Sequence, residues 1–126
     1  EIIDTPEPNR IVVIPSVSYG MATVTRNLKL SKGDEVIVAG EQFPSNVYPW
    51  MNACRNQGAE LKIIAPPELA EGRGKKWNEN ILEAISRKTK LVAISHCHWA
   101  DGTIFELKKI RQHTVCGSFP FQCQRN

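Results

Sequence analysis

The sequence predicts an α/β fold: a three-layer sandwich in which helices cover both faces of a mostly parallel sheet. Four short runs rich in β-branched residues indicate strands buried on both faces, because parallel strands are typically hydrophobic along their whole length. These runs are residues 10–14, 35–39, 60–65 and 90–95. Starts at residues 11, 35, 60 and 90 are 24, 25 and 30 residues apart, and each interval accommodates one right-handed βαβ crossover.

The first half of the chain contains two predicted strands and two predicted helices. A proline ends the first strand, and helical spacing follows over residues 21–28. A turn at residues 32–34 leads into the second strand. We expect the next helix over residues 46–57, since Pro49 falls in its first turn and Gly58 is a typical stop. Its apolar stripe comprises Val47, Trp50, Met51 and Cys54.

In the second half of the sequence, predicted strands and helices alternate again. Residues 68–76 are polar and contain two glycines, which predicts a surface loop after the third strand. A helix over residues 78–87 follows, with Asn78 as its N-cap. After the fourth strand come a loop over residues 96–103 and a last helix over residues 106–113. The loops at the carboxyl ends of the strands are where open α/β sheets bind ligands.

Length and composition indicate one ordinary domain. The chain has 126 residues, of which 41% are hydrophobic and 23% charged, and its mean hydropathy is −0.31. These values exclude collagen-like, disordered and disulfide-dense proteins. The net charge of +3 comes from scattered basic residues, so we expect no nucleic-acid partner. No apolar run approaches the roughly 20 residues that span a bilayer, so we expect no membrane partner either.

The N-terminal residues and the cysteines favour a cytoplasmic protein. The first eight residues have neither the basic region nor the apolar segment of a signal peptide. In the cytoplasm the four cysteines are expected to be reduced. Cys54 lies in a helix-like run and Cys97 at a strand end, and we expect both thiols to be buried.

Two of the loops suggest ligand contacts. Ser16 and Ser18 open a helix, and hydroxyls beside free N–H groups suit a phosphate, although a serine there is often only a cap. Phe43 follows the second strand, where its ring either stacks on a planar ligand or covers the core. The run from His96 to His98 is spaced too closely for a typical zinc site, and we predict no metal ligand.

Three stretches, taken together, resemble a known family. They are Gly33-Asp34-Glu35-Val36-Ile37-Val38, Ser45-Asn46-Val47-Tyr48-Pro49-Trp50, and Leu91-Val92-Ala93-Ile94-Ser95-His96 with Gly102-Thr103 beyond. From about residue 9 to residue 113 the chain is similar to the large domain of class V aminotransferase-fold enzymes. These are pyridoxal-phosphate proteins that include cysteine desulfurases. The resemblance implies a fold type I large domain and pyridoxal phosphate as cofactor.

The resemblance implies four cofactor-binding residues. Val17 and Ser18 fall where the family holds the cofactor phosphate. Phe43 falls where desulfurases carry a His stacked on the pyridine ring, and because a Phe can stack but cannot exchange a proton, it favours transamination, epimerisation or lyase chemistry. Trp99 falls where desulfurases carry an Asn, and a Trp there either packs or offers its indole N–H. Asp101 is a second polar candidate in the same loop.

The expected catalytic residues are missing from the match. In the family the Schiff-base lysine and the acidic partner of the pyridine nitrogen follow the fourth strand. Residues 114–126 do not resemble the next strand, and Lys75, Lys76, Lys108 and Lys109 lie on polar loops or helix faces. We therefore expect a partial large domain, about residues 10–113 with an atypical tail, that carries part of the cofactor pocket, has no catalytic residue and is not catalytic alone.

Two further expectations follow. The alternative function is a non-catalytic α/β module that binds a phosphorylated ligand or a protein partner. In the family, whose full-length members act on small-molecule amino-acid substrates, later strands lie between the first strand and the second. Residues 11–14 would therefore stand apart, pair with a neighbour or be covered by another chain, and we expect a homodimer or self-association.

Overall fold

The computed structural model describes residues 7, 9, 11–68 and 71–116, apart from the side chains of residues 115 and 116. Strands and helices alternate along this part of the chain. The strands are β1 (Glu35–Ala39), β2 (Glu60–Ile64) and β3 (Thr89–Ala93). The α-helices are α1 (Val17–Asn27), α2 (Tyr48–Gln57), α3 (Arg73–Ala84) and α4 (Leu107–Cys116), and a short 3₁₀ helix covers Pro44–Asn46.

The sheet is parallel, with β1 in the centre of the order β2-β1-β3. Val36 is paired with Leu61 on one side and with Leu91 on the other. Every residue of β1 is buried, as expected for a parallel strand covered on both faces. The predicted second, third and fourth strands are therefore confirmed, each to within two residues at its ends.

Two apolar clusters lie on opposite faces of the sheet, because successive side chains of a strand point to opposite sides. One cluster joins Val36 and Val38 to Trp50 and Cys54 of α2. The other joins Ala39 to Trp77 and Ile81 of α3 and to Ile110 of α4. Helices thus cover both faces, which confirms the predicted three-layer α/β sandwich. Among the described residues, no helix has the length and apolar character needed to cross a membrane.

The predicted first strand is wrong. Residues 11–14 form no strand in the structure, and their side chains are exposed, with Val13 exposed by 95%. A β-branched run favours extended backbone, but a strand also needs a partner for its ladder. Within the described residues the segment pairs with no strand, so the expected pairing with a neighbouring strand of this chain is not observed. Ser16 then caps α1, which begins at Val17, four residues earlier than predicted.

The start of α3 also differs from the prediction. Residues 73–76 belong to the helix rather than to a surface loop, and the residue before it, Gly72, has a φ of 68°. The glycine within the first turn allows a close approach: a Cβ on Gly74 would lie 3.3 Å from a methyl of Thr103. Asn78 is not the N-cap but a buried residue in the middle of the helix.

The other helices agree with the prediction in position but not in every boundary. Trp50 and Cys54 lie on the buried face of α2, as predicted, together with Ala53. The 3₁₀ helix takes up the residues just before α2, where a longer helix was expected. The last helix extends to Cys116, and the rest of the atypical tail, residues 117–126, lies outside the described residues.

Candidate functional site

A cavity of about 460 Å³ lies at the carboxyl ends of β1 and β3. Its walls come from the start of α1 and from the segments that follow these two strands. The four residues singled out by the family resemblance all line it: Val17, Ser18, Phe43 and Trp99. Residues far apart in the chain thus meet where an open α/β sheet is expected to bind a ligand.

The first turn of α1 offers unpaired backbone donors. The Ser16 hydroxyl accepts a hydrogen bond of 3.1 Å from the backbone N–H of Tyr19. The N–H groups of Val17 and Ser18 precede the first intrahelical bonds and therefore have no acceptor within the helix. The positive end of the helix dipole lies at the same place. This wall of the cavity therefore has the chemistry of an anion site.

Phe43 and Trp99 form an aromatic wall opposite that turn. Their ring centres are 5.8 Å apart and the ring planes are nearly perpendicular, at 88°. Both side chains are more than half exposed, at 58% and 65%. The indole N–H of Trp99 donates to the backbone carbonyl of Glu41 over 2.7 Å. Of the two roles expected for Trp99, packing therefore fits the geometry, since its N–H is already used within the chain.

Polar side chains in the cavity have unused hydrogen-bonding capacity. Gln42 Nε2 and Ser95 Oγ are buried and have no hydrogen-bond partner among the described residues. Asn46 stands beside them and is fully engaged: its Nδ2 donates to the carbonyl of Ala93 and its Oδ1 accepts from Trp50 Nε1. Sequence reasoning missed these three residues, and their only signal was a polar type next to a strand end.

The donor set of the cavity fits pyridoxal phosphate. Backbone N–H groups and the Ser18 hydroxyl suit the phosphate, and the Phe43 ring suits a planar pyridine. The unpaired atoms of Gln42 and Ser95 suit the polar substituents of such a ring.

Asp101, the second polar candidate of the loop, does not line the cavity. Its Oδ1 lies 3.0 Å from Nδ1 of the buried His98 and accepts the backbone N–H of Thr103. The Thr103 backbone hydrogen bond lowers the pKa of the Asp101 carboxyl most. Burial opposes this effect, while the Thr103 side chain and His98 add to it, and the net pKa lies below its ordinary value. Asp101 is thus a carboxylate used to fold its own loop.

Of the two cysteines predicted to be buried, the structure places one in the core and the other at the surface. Cys54 is buried, as expected, and burial raises the pKa of its thiol. Cys97 is exposed and lines the cavity, so the prediction of a second buried thiol is wrong. Strand β3 ends at Ala93, two residues earlier than predicted, which leaves Cys97 in the loop.

No group of three potential metal ligands occurs among the described residues.

None of the chain's lysines lines the cavity. Every lysine of the sequence lies among the described residues. Lys76 pairs with Glu79 of its own helix, and Lys109 pairs with Glu106, the residue directly before α4. No lysine side chain is therefore among the described residues that line the cavity.

Comparison with known proteins identifies the family. The model of the family described as aminotransferase class V matches residues 1–116. The chain therefore belongs to the class V aminotransferase family, which is pyridoxal-phosphate-dependent.

Two curated relatives have similar sequences. A probable cysteine desulfurase of Halalkalibacterium halodurans is 33% identical over 112 residues, which are 89% of this chain and 25% of the relative. The aminotransferase-like protein FGM3 of Gibberella zeae is 31% identical over 112 residues, which are 87% of this chain and 27% of the relative. The chain thus spans about a quarter of the length of these relatives.

Solved structures share the fold. The cystine C-S lyase C-DES, in complex with its product cysteine persulfide, superposes with a TM-score of 0.66 at 21% identity, over 77% of this chain and 25% of that one. The cysteine desulfurase CsdA from Escherichia coli gives a TM-score of 0.65 at 17% identity, over 79% and 25%. At these identities the likeness supports the fold alone.

Proposed function

We propose that this chain supplies part of a pyridoxal-phosphate pocket of a class V aminotransferase-type enzyme. The observation that carries the proposal is the convergence of Val17, Ser18, Phe43 and Trp99 on one cavity. These are the four positions that the family resemblance implies for cofactor binding. Their convergence supports a cofactor site at the carboxyl end of the sheet.

Each wall of the cavity has a distinct task in this proposal. The N–H groups at the start of α1 and the Ser18 hydroxyl hold the phosphate, because an anion is favoured at a helix N-terminus. Phe43 stacks on the pyridine ring, and Trp99 supports Phe43 from the side at a centre-to-centre distance of 5.8 Å. When bound, the cofactor supplies an electron sink for reactions at the α-carbon of an amino acid.

The aromatic wall also bears on the type of reaction. A phenylalanine at position 43 has no titratable group, so it can neither deliver nor remove a proton. We therefore favour transamination, epimerisation or lyase chemistry on an amino-acid substrate over desulfuration. Catalysis by the 126-residue chain alone is not expected, since none of its lysines lines the cavity.

The proposal is tested by titrating the chain with pyridoxal 5′-phosphate and, separately, with inorganic phosphate. We expect the cofactor to bind more tightly than phosphate, and borohydride reduction to leave no single lysine preferentially labelled. Removing the ring in Phe43→Ala should weaken cofactor binding about two- to tenfold, the range of one aromatic contact. Tyr48→Ala is the matched control, because Tyr48 is equally exposed at 58% and lies outside the cavity.

The possible outcomes separate the two candidate functions. Equal affinity for phosphate and for the cofactor, unaffected by Phe43→Ala, would contradict a cofactor site. It would instead favour the alternative, a non-catalytic module that binds a phosphorylated ligand. A lysine labelled in preference to the others would contradict the claim that this chain does not catalyse alone.

We also infer a cytoplasmic location and association with a second copy of the chain. The location is supported by the composition and by the free thiols of Cys54 and Cys97. Association is supported by the exposed apolar side chains of residues 11–14, which have no cover within the described chain.

A further inference from the structure

Three loops at the carboxyl end of the sheet meet at one side chain, that of Arg73. Arg73 begins α3, directly after the loop that follows β2. Its Nε lies 3.0 Å from Oδ2 of Asp101, in the loop after β3, as an ion pair without hydrogen-bond alignment. Its Nη2 lies 3.9 Å from Oε2 of Glu41, in the loop after β1. The guanidinium also lies 5.8 Å from the ring centre of Trp77.

The position of Arg73 is unfavourable for the helix itself. A cation at a helix N-terminus opposes the helix dipole. The first turn of α3 contains no acidic residue, and Lys75 and Lys76 add to its positive charge. Arg73 is therefore stabilised by carboxylates outside the helix, which points to a role between loops.

The two carboxylates that Arg73 contacts are themselves anchored. Asp101 accepts a hydrogen bond from the backbone N–H of Thr103 and contacts His98, so it stabilises the conformation of the loop after β3. The backbone carbonyl of Glu41 accepts the indole N–H of Trp99 from that same loop. Glu41 also has a positive φ of 52°, which a non-glycine residue adopts at a cost. The two loops are thus joined twice, once through Arg73 and once through Trp99.

We propose that Arg73 is a positioning residue that ties the loop after β1 to the loop after β3 and so holds the Phe43–Trp99 wall of the cavity in place. Arg73 does not line the cavity and does not act on a ligand directly. When its charge is removed, the loops separate more often. The hydrogen bond from Trp99 to Glu41 then breaks, and Phe43 loses its neighbour. This role does not depend on which ligand the cavity takes.

Hydrogen exchange of the tryptophan indole N–H groups, followed by NMR on the full chain without added ligand, tests the proposal. All three indoles donate to the protein: Trp99 to Glu41, Trp50 to Asn46 and Trp77 to Ile64. The Trp99 indole reports the joint between the loops. The Trp50 indole, which belongs to a side chain buried in the core, serves as the internal reference, since the Trp77 ring lies against Arg73 itself.

The variant Arg73→Met keeps the aliphatic stem and removes the charge. We expect the Trp99 indole to exchange about two- to fivefold faster, the range that a partly exposed ion pair supports, while exchange of the Trp50 indole is unchanged. Lys75→Met is the matched control, since this exposed cation in the same turn has no contact with either carboxylate. Arg73→Lys keeps the charge but loses the planar guanidinium. Its Trp99 indole should exchange at a rate between those of the wild type and Arg73→Met.

Two results would overturn the proposal: unchanged exchange of the Trp99 indole in Arg73→Met, or equal acceleration of all three indoles, which indicates a general loss of stability. If Arg73→Met does not fold, Glu41→Gln provides the test, because the Glu41 side chain is 60% exposed. Glu41→Gln should speed hydrogen exchange of the Trp99 indole alone. Unchanged exchange of this indole would count against the proposal. Because no cofactor is added, this result is independent of the proposed function.

Discussion

Glu35 is a carboxylate buried at the start of β1, at the end of the sheet opposite the cavity. Its Oε2 accepts hydrogen bonds from Ser86 Oγ at 2.6 Å and Thr89 Oγ1 at 3.3 Å, and its Oε1 lies 2.9 Å from Lys62 Nζ. Burial on its own raises the pKa of Glu35. The bonds from Ser86, Lys62 and Thr89 and the charge of Lys62 together outweigh burial, and the net pKa lies below 4.5.

The lowered pKa of Glu35 makes stability depend on pH. In acid the unfolded chain binds this proton more readily than the folded chain, so unfolding is favoured as the pH falls. The contribution is complete above the ordinary pKa of 4.5 and is lost as the pH falls through the folded-state value. Glu35→Gln should lower the free energy of unfolding near neutral pH by about 1.5–3 kcal/mol. It should also flatten the decline in stability as the pH falls from neutral to below about 4.5.

Urea unfolding followed by circular dichroism over that pH range measures both effects. Glu60→Gln is the matched control, because Glu60 pairs with Glu35 across the ladder but its side chain is exposed. Parallel pH profiles for wild type and Glu35→Gln would contradict this account.

At the scale of elements, one asparagine joins α3 to the segment that leads into α4. Asn78 Nδ2 donates to the carbonyls of Gly74 at 2.8 Å and Ile104 at 3.0 Å. Its Oδ1 accepts the backbone N–H of Glu106 at 2.8 Å. The side chain is buried, and removing its amide would take away this partner from the Ile104 carbonyl and from the Glu106 N–H, whereas the Gly74 carbonyl keeps its bond within the helix.

We expect Asn78→Ala to lower the free energy of unfolding by about 1–3 kcal/mol, because the hydrogen bonds of a buried side chain to Ile104 and Glu106 are lost. Thermal and urea unfolding measure the change. Asn80→Ala, two residues further along the same helix and outside this network, should change stability by no more than about 0.5 kcal/mol. Equal losses in the two variants would mean that helix propensity, rather than the buried network, sets the cost.

At the scale of the whole molecule, residues 11–14 form an exposed apolar segment before α1 that the other described residues do not cover. Val12 and Val13 are exposed by 77% and 95%, and α1 itself contains no buried residue. Such a surface is favourable to bury against a second copy of the chain. We therefore expect Val13→Lys to shift the monomer–oligomer equilibrium toward monomer in sedimentation velocity measured at several concentrations.

Thr23→Lys is the control for this prediction, because Thr23 is exposed on α1 and polar, so the added charge replaces no apolar surface. The same shift in both variants would indicate a general effect of charge. No concentration dependence in the wild-type chain would contradict association through this segment.

How far the sequence predicts this molecule depends on the range of the contacts involved. Strands β1 to β3 were predicted because their apolar runs are local signals. The segment 11–14 has the same signal but lacks a ladder partner among the described residues, and no local pattern reveals that. The start of α3 was missed because Gly74 is placed by its contact with Thr103, which is distant in sequence.

The residues of the candidate site were likewise predicted only in part from the sequence. Val17, Ser18, Phe43 and Trp99 were named from the family resemblance, and the structure brings them around one cavity. Gln42 and Ser95 were missed because an unpaired polar atom is a property of packing, not of residue type. The junction at Arg73 was missed for the same reason, since residues 68–76 were predicted to be a surface loop from their polar, glycine-containing sequence.

The central place of β1 has a consequence for folding during synthesis. Glu35 is bonded to Thr89, a residue 54 positions later in the chain, so one edge of the most apolar strand stays unpaired until β3 has left the ribosome. Contacts of such separation slow folding and prolong the exposure of aggregation-prone edges. Nascent chains that end before β3 are therefore the species that most need the protection of a chaperone.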